Sequence, residues 1–254
     1  MDKEQITKRM QGILEDYEKN SLELDDTFKF NCRGCGKCCK NREDILLTAR
    51  DLYNIASHLG RTPEYIVERY CEIYIGDSSR LPIVRLKPSG PEKACPLLRD
   101  RRCIVHQAKP VVCALFPLGR ATIMSQTDNG IEKPGSLQPR YFIQQVSCGT
   151  TDRANTVRGW LEQFDIPAED EFYTLWTDGI TSVGEFLRNM EAKRITERTM
   201  SVFREAAIFG MYINYDPKKE LIPQFRENME KLLSVLSDMS AVAEKVFGGV
   251  QVGN

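Results

Sequence analysis

The stretch Cys-Arg-Gly-Cys-Gly-Lys-Cys-Cys-Lys, residues 32 to 40, sets four thiols within eight residues. So dense a run is not ordinary core packing. A two-residue spacer lets both sulfurs of a C-x-x-C pair turn towards one small ion, so Cys32, Cys35 and Cys38 are spaced to serve a single centre. Cys38 and Cys39 are neighbours, and in extended chain successive side chains point to opposite faces. Cys39 is therefore expected to serve a second centre, or to pack as a small hydrophobe beside the first.

What the thiols mean depends on the compartment. The first residues, Met-Asp-Lys-Glu-Gln-Ile, are charged, and no apolar core and small-residue cleavage site follows them, so no secretory signal is read there. No apolar run is long enough to span a bilayer. The cytoplasm is the expected location, where thiols stay reduced. Nine cysteines is an odd number, and a chain of 254 residues has core enough without covalent staples. Metal binding is the leading reading of the thiols. With 35 basic and 36 acidic residues the net charge is -1, which gives no general field for nucleic acid or anionic lipid. The cysteine region also lacks the paired Cys/His spacing of a zinc finger, and its aromatics do not interleave with its basic residues. Neither nucleic acid nor a membrane is expected as a partner.

The cysteines fall at 32, 35, 38, 39, 71, 95, 103, 113 and 148, so none lies in the last hundred residues. This divides the chain into a cysteine-cluster metal-binding domain over residues 1–150 and a helical region over 151–254 packed on it. In the first part, Ile6, Met10, Ile13, Leu14 and Tyr17 recur at helical spacing. Thr48-Ala-Arg-Asp51 reads as a capping box opening a helix whose apolar face is Leu52, Ile55, Ala56 and Leu59, with Gly60 as its stop. Thr62 and Pro63 start a second helix carrying Tyr65, Ile66 and Tyr70. Ile83 to Leu86 alternates like a strand, and Leu97-Leu98 and Cys103-Ile104 flank an Arg-Asp-Arg-Arg turn that closes a hairpin. Pro110 opens a turn or short helix ending before Pro117, and Tyr141 to Val146 reads as a strand. From Asp152 onward the pattern is helical, through Val157, Trp160, Leu161 and Phe164, then Phe172 to Val183, Ile195 to Met211 and Leu221 to Phe247, with a break at Tyr215-Asp-Pro217. Leu232, Leu233, Leu236 and Met239 mark one face of the last helix, and Trp160 and Trp176 are read as core. The fold class is α+β: a loop-rich cysteine region of short helices and strands followed by a mainly helical part.

Cys95, Cys103, Cys113 and Cys148 add the thiols needed for two four-cysteine sites, with the Cys38–Cys39 pair as a hinge between neighbouring centres. Cys71 ends a helix with no nearby partner and reads as a buried structural thiol. His58 lies in the Leu52 to Leu59 helix and reads as structural. His106, three residues after Cys103, is expected to support the metal rather than ligate it. Arg33, Lys37, Lys40, Arg42, Arg99, Arg101, Arg102, Lys109 and Arg120 lie near the thiols in sequence, and some are expected to offset their charge.

Phe-Asn-Cys-Arg-Gly-Cys-Gly-Lys-Cys-Cys-Lys at 30–40, the Cys-x7-Cys-x9-Cys run from Cys95 to Cys113 and the Cys148-Gly149 pair together resemble the YkgJ-type cysteine cluster family of zinc- or iron-chelating proteins over roughly residues 28–150. The resemblance implies Cys32, Cys35, Cys38, Cys39, Cys95, Cys103, Cys113 and Cys148 as metal ligands. This chain departs from the family pattern at His106, where a Tyr is usual, and at Lys109, where an Arg is usual. The family includes flagellin lysine N-methylases, which are similar to iron–sulfur proteins using S-adenosylmethionine. It thus implies a cluster of the 4Fe-4S type or zinc, S-adenosylmethionine as a further cofactor, and a protein as substrate or partner. Against that enzyme stands a non-catalytic zinc protein in which closed thiolate sites hold a loop-rich fold together. The residues themselves show neither a Rossmann glycine fingerprint nor the C-x3-C-x2-C spacing of radical S-adenosylmethionine enzymes.

Overall fold

The computed structural model describes residues 19–41, 45–121, 126–127, 130–131, 139–144, 146–193 and 195–247. The helix expected on Ile6 to Tyr17 lies outside them. The fold is α+β, with short helices and small antiparallel sheets before a helical C-terminal region.

Strands β1 (Ser21–Leu22) and β2 (Thr27–Asn31) precede the thiol run, whose end winds into a 3-10 turn over Lys37–Cys39. Helices α1 (Ala49–Leu59) and α2 (Pro63–Tyr70) follow, then the antiparallel pair β3 (Cys71–Ile75) and β4 (Pro82–Leu86). The hairpin of β5 (Leu98–Arg99) and β6 (Arg102–Cys103) leads through a 3-10 turn at His106–Ala108 into α3 (Val111–Leu115). Strands β7 (Leu118–Ala121), β8 (Gln126–Thr127), β9 (Gly130–Ile131), β10 (Arg140–Ile143) and β11 (Thr150–Thr156) come next. Helices α4 (Val157–Glu162), α5 (Glu171–Ala192) and α6 (Glu197–Ile208) then follow, with α6 running on through a π-helical turn at Phe209–Ile213, and α7 (Leu221–Phe247) comes after it. These elements pack as two compact units interleaved in sequence: Met1–Cys38 with Val111–Asp170, and Cys39–Pro110 with Glu171–Asn254. Each draws on chain from both sides of residue 150.

The first unit is organised by β2. Its Thr-Phe-Lys-Phe-Asn sequence alternates, so Phe28 and Phe30 point into the core while their neighbours face water. Both rings meet Trp160 edge-on, at 5.6 and 5.8 Å between centroids. The Trp160 indole N–H donates to the carbonyls of Ala114 and Leu115 at 3.1 and 3.0 Å, which fastens the end of α3 to the same core. Strand β11 pairs antiparallel with β2, Thr156 opposite Thr27 and Thr150 opposite Asn31, with an irregularity between Ala154 and Thr150. The helical pattern expected from Asp152 therefore begins only at Val157. Residues 150–156, Thr-Thr-Asp-Arg-Ala-Asn-Thr, carry no apolar helical face, and the edge of β2 supplies the backbone partners they lack; Asn155 adds a side-chain bond to the Phe30 carbonyl at 2.8 Å. Thr156 then caps α4 by accepting the Gly159 N–H. Strands β1, β10 and β7 form a second small sheet in that order, and a buried Arg120–Asp170 pair at 3.2 Å stands in the same unit.

The second unit joins α1, α2 and the β3–β4 pair to the C-terminal helices. The expected capping box is present: the Thr48 hydroxyl accepts the Asp51 N–H at 3.3 Å and the Asp51 carboxylate accepts the Thr48 N–H at 2.8 Å. Gly60, in the left-handed region at φ 62, ends α1. Thr62 and Pro63 open α2 as expected, but its buried side is Pro63, Ile66 and Val67, with Tyr65 facing outward. Phe172, Trp176, Leu187, Phe203, Met211, Phe225, Leu232 and Leu236 are buried in this unit, so the core reading of Trp176 holds as it does for Trp160. Leu233, expected on the packed face of α7, is 39% exposed. Its two stretches of chain are tied by the Arg50 guanidinium over the Phe172 ring at 4.4 Å, the Tyr53 hydroxyl on the Lys219 carbonyl at 2.7 Å and the Tyr212 hydroxyl on the Pro82 carbonyl at 3.3 Å. Among the described residues no helix is long and apolar enough to cross a membrane.

Replacing Thr48 by Ala removes one half of the capping box and leaves the Asp51 N–H without its side-chain acceptor. We expect a loss of about 1 kcal/mol, read as a fall in melting temperature of roughly 2–4 °C. An unchanged melting temperature would show that α1 does not depend on its cap.

Candidate metal centre

Strand β2 stops at Asn31, and the thiol loop starts with Cys32, which is exposed. Gly34 and Gly36 both take left-handed backbone angles, φ 60 and φ 70. A Cβ on Gly34 would meet nothing within 4 Å, so the backbone conformation, not crowding, calls for glycine there. In that turn the Gly34 N–H points back at the Cys32 sulfur, 3.5 Å away. Cys38 and Cys39 then lie in the 3-10 turn rather than in extended chain. Their side chains still diverge, because at three residues per turn successive positions are rotated by about 120°.

Cys148 reaches the same loop from β11. Thr150 sits opposite Asn31, so two residues before it Cys148 comes alongside the residues that follow β2. Gly149 makes this approach feasible: its φ is 75, and a Cβ there would stand 2.4 Å from the Phe30 ring and 2.9 Å from the Asn31 carbonyl oxygen. The end of the ladder is clasped by Asp152, which accepts from the Thr150 hydroxyl at 2.6 Å and the Asn31 amide at 3.2 Å. Those two bonds, with a smaller contribution from Arg33, hold the Asp152 carboxyl below its usual range. The Cys148 thiol is pushed up, first by burial and then by the charges of Cys38, Cys35 and Cys32, and it is hydrogen-bonded to Cys35. Three thiols of the loop thus lie within electrostatic range of Cys148, which comes from a separate stretch of sequence. Cys113, half-buried on α3, belongs to the same unit.

The second unit holds Cys39, Cys71, Cys95 and Cys103. The Cys39 carbonyl accepts the Cys95 N–H at 2.8 Å, and the same segment is held by Lys40 on Glu92 at 2.6 Å and by the Asn41 N–H on the Glu92 carbonyl at 3.1 Å. The Cys95 carbonyl accepts the Leu98 N–H at 3.0 Å at the start of the expected hairpin. Asp100 and Arg101 carry φ 48 and φ 62, the pair of left-handed residues of a type I′ turn, and Leu98 pairs with Cys103. Cys71 caps α2 and opens β3 opposite Leu86. Its thiol is buried and pushed up to about 12, by desolvation first and then by the charge of Cys95. The burial agrees with the structural role expected for this thiol. His106 lies exposed on the 3-10 turn after Cys103, where partial burial of the ring and the charge of Lys109 hold its pKa below the ordinary value. His58 is exposed in the last turn of α1. Of the neighbouring cations, Lys40 pairs with Glu92 and Arg120 with Asp170, Arg99, Arg101 and Arg102 face water, and Arg42 lies outside the described residues.

No cysteine is bridged to another in a disulfide. The donor set, thiols at two-residue spacing, suits a thiophilic ion. The sulfurs are gathered without being closed to coordination geometry: among the described residues no group of three or more His, Cys, Asp or Glu side chains is spaced to hold an ion.

Residues 31–133 match the family model named CxxCxxCC, whose description is "Putative zinc- or iron-chelating domain". The matched stretch is similar to that family's domain and covers 103 of the chain's 254 residues. It spans parts of both units and eight of the nine cysteines, all but Cys148. Cys148 lies beyond the matched stretch, and the β2–β11 ladder brings it to Cys35. No curated protein and no solved structure matches the chain.

Two outcomes are expected. In metal-free protein at mildly alkaline pH, iodoacetamide labels exposed Cys32 first and Cys71 last, because a buried thiol that keeps its proton is a poor nucleophile; labelling rates by peptide mass mapping check this, and equal rates would contradict the burial of Cys71. Gly149→Ala forces the Phe30 ring or the strand to shift and strains a left-handed backbone, at a cost of about 1–3 kcal/mol. Denaturant unfolding measures that cost, and a variant as stable as the parent would show that the close approach of β11 is not required.

Proposed function

We propose that this chain is a thiolate metalloprotein holding iron, as an iron–sulfur cluster, or zinc at two centres, one in each unit. Cys32, Cys35, Cys38 and Cys148 would hold the first. Cys39, Cys95 and Cys103 would contribute to the second. The observation that carries the reading is the β2–β11 ladder, which with Gly149 brings Cys148 alongside the loop of Cys32, Cys35 and Cys38. Crowded thiolates repel one another, and a bound cation offsets that repulsion. Cys113 is a fifth thiol of the first unit, and its candidacy as a ligand rests on the family resemblance.

Bound zinc would act as a closed structural bond, and a cluster would add electron transfer or Lewis acidity at an open iron. The chain's own part is to orient the thiols and to hold or release their protons. Since Cys148 keeps its proton to higher pH than an ordinary thiol, metal must displace that proton, and uptake is expected to strengthen as pH rises towards its raised pKa. The enzymatic reading, S-adenosylmethionine-linked methylation of a lysine on a protein partner, is supported by the family resemblance alone, as is the 4Fe-4S type of cluster. A reducing compartment such as the cytoplasm is what the unbridged thiols of this reading require.

Metal and acid-labile sulfide measured on anaerobically purified protein separate the two metals: iron with matching sulfide marks a cluster, zinc without sulfide a structural site. Cys35→Ser is expected to lose the metal of the first centre and Cys95→Ser that of the second, each about half of the total if the two centres hold equal amounts. Full metal in a folded Cys35→Ser protein would refute the first centre. Loss of all metal from either folded variant would refute the separation into two. Binding of S-adenosylmethionine by the loaded protein, absent from the metal-free form, is the result the enzymatic reading needs.

A further inference from the structure

Strand β4 has a neighbour on each side, but β3 has one only on the side of β4. Along the other edge of β4 run residues 45–47, where the Leu47 N–H donates to the Val84 carbonyl at 2.9 Å and the Leu86 N–H donates to the Ile45 carbonyl at 3.0 Å. Val84 and Leu86 therefore bond away from β3. The bonds between β4 and β3 fall on the alternate pairs, Glu72 with Arg85 and Tyr74 with Ile83, and the Lys87 N–H on the Tyr70 carbonyl at 2.9 Å continues the alternation. Cys71, Ile73 and Ile75 thus direct their backbone groups to the far edge of β3, where no described strand pairs with them. Of these groups the Cys71 N–H is already held, by the Val67 carbonyl at the end of α2.

The side chains leave that edge unguarded. Cys-Glu-Ile-Tyr-Ile contains neither proline nor lysine, the residues that blunt exposed edges against pairing, and its one charge, Glu72, is matched by Arg85 at 2.7 Å. Ile73 lies opposite Val84 on the same face of the pair. Val84 is fully buried while Ile73 is 38% exposed, so the apolar layer runs on to the open edge without cover.

We propose that β3 is a dimerisation edge, on which a second copy of this chain pairs its own β3 antiparallel about a two-fold axis at Ile73. The residues that bond outward are 71, 73 and 75, so the edge is symmetric about Ile73 and complementary to itself. In this register each Ile73 N–H donates to the partner's Ile73 carbonyl and each Ile75 N–H to the partner's Cys71 carbonyl. The donor that would be left over, the Cys71 N–H, is the one already bonded within its own chain. Ile73 then faces its own copy, Glu72 faces Tyr74 and Cys71 faces Ile75, so exposed apolar groups cover each other and no like charges meet. This self-match selects a second copy over an unrelated strand. The inference is independent of the metal reading.

Sedimentation velocity of the full chain over a concentration series, in reductant so that intermolecular disulfides do not contribute, is compared with Ile73→Pro and Ile73→Lys. Pro removes the outward N–H and leaves the bonds to β4 in place, a position that edge strands tolerate. Lys sets two like charges face to face across the axis. We expect the wild-type mass to double with rising concentration and both folded variants to stay monomeric. Residue-resolved amide exchange gives a readout that needs no variant. The wild-type Ile73 and Ile75 amides are expected to slow by about tenfold when roughly nine-tenths of the chains are paired, whereas Tyr74, bonded to β4, is protected at every concentration. Wild type that stays monomeric overturns the proposal. So does a dimer whose Ile73 amide exchanges as fast as in the monomer, or one that persists in a folded Ile73→Lys protein. Should neither variant fold, the Ile73 and Ile75 amides decide alone.

Discussion

The pairing of β11 with β2 is the contact on which the first thiol set depends, because it joins residues more than a hundred positions apart and ends one residue short of Cys32. The inward face of the same ladder carries Phe28 and Phe30 against Trp160, so the apolar burial that stabilises the unit also holds the register of the two strands. A shift of one residue would turn Phe28 and Phe30 to solvent and move Cys148 away from the loop. The absence of a Cβ at Gly149 allows the final close approach. Core packing and thiol placement are thus consequences of one register.

Gathering thiols in this way has an electrostatic cost when no cation is present. The raised pKa of Cys148 expresses that cost, since burial and three neighbouring sulfurs all favour keeping its proton. An ion bound there would offset that cost and draw together what the fold has already brought near. The second unit uses different means. There a hairpin with a left-handed turn and a small loop closed by the Ser89–Ala94 exchange position Cys103 and Cys95, and the backbone of Cys39 is bonded directly to that of Cys95.

Local signals were read well because their physics is local. The Thr48–Asp51 capping box, the Thr62-Pro63 helix start, the Arg-Asp-Arg-Arg hairpin turn and the short helix after Pro110 all appear as expected, each determined by residues within a few positions of one another. The Phe28/Phe30 alternation was also present in the sequence, and it is the signal that would have found β2. Strand β11 had no such signal. Six of its seven residues are polar, and they are a strand only because β2 offers an edge to pair with. Where extended chain was expected for Cys38 and Cys39, the structure has a 3-10 turn, in which successive positions are rotated by about 120°.

By itself, the sequence determined the chemistry of this protein: thiols at two-residue spacing, glycines free to take left-handed turns between them, and an α+β division between a cysteine-rich part and a helical one. Spacing alone decides which sulfurs within one loop can converge, because the chain between them is too short to allow much else. Which distant cysteine joins them is another matter. Cys148 comes alongside the loop of Cys32, Cys35 and Cys38 through strand register, and the backbone of Cys39 is bonded to that of Cys95. Those pairings depend on backbone hydrogen bonds and buried surface between segments far apart in sequence, and such terms exist only once the chain has folded.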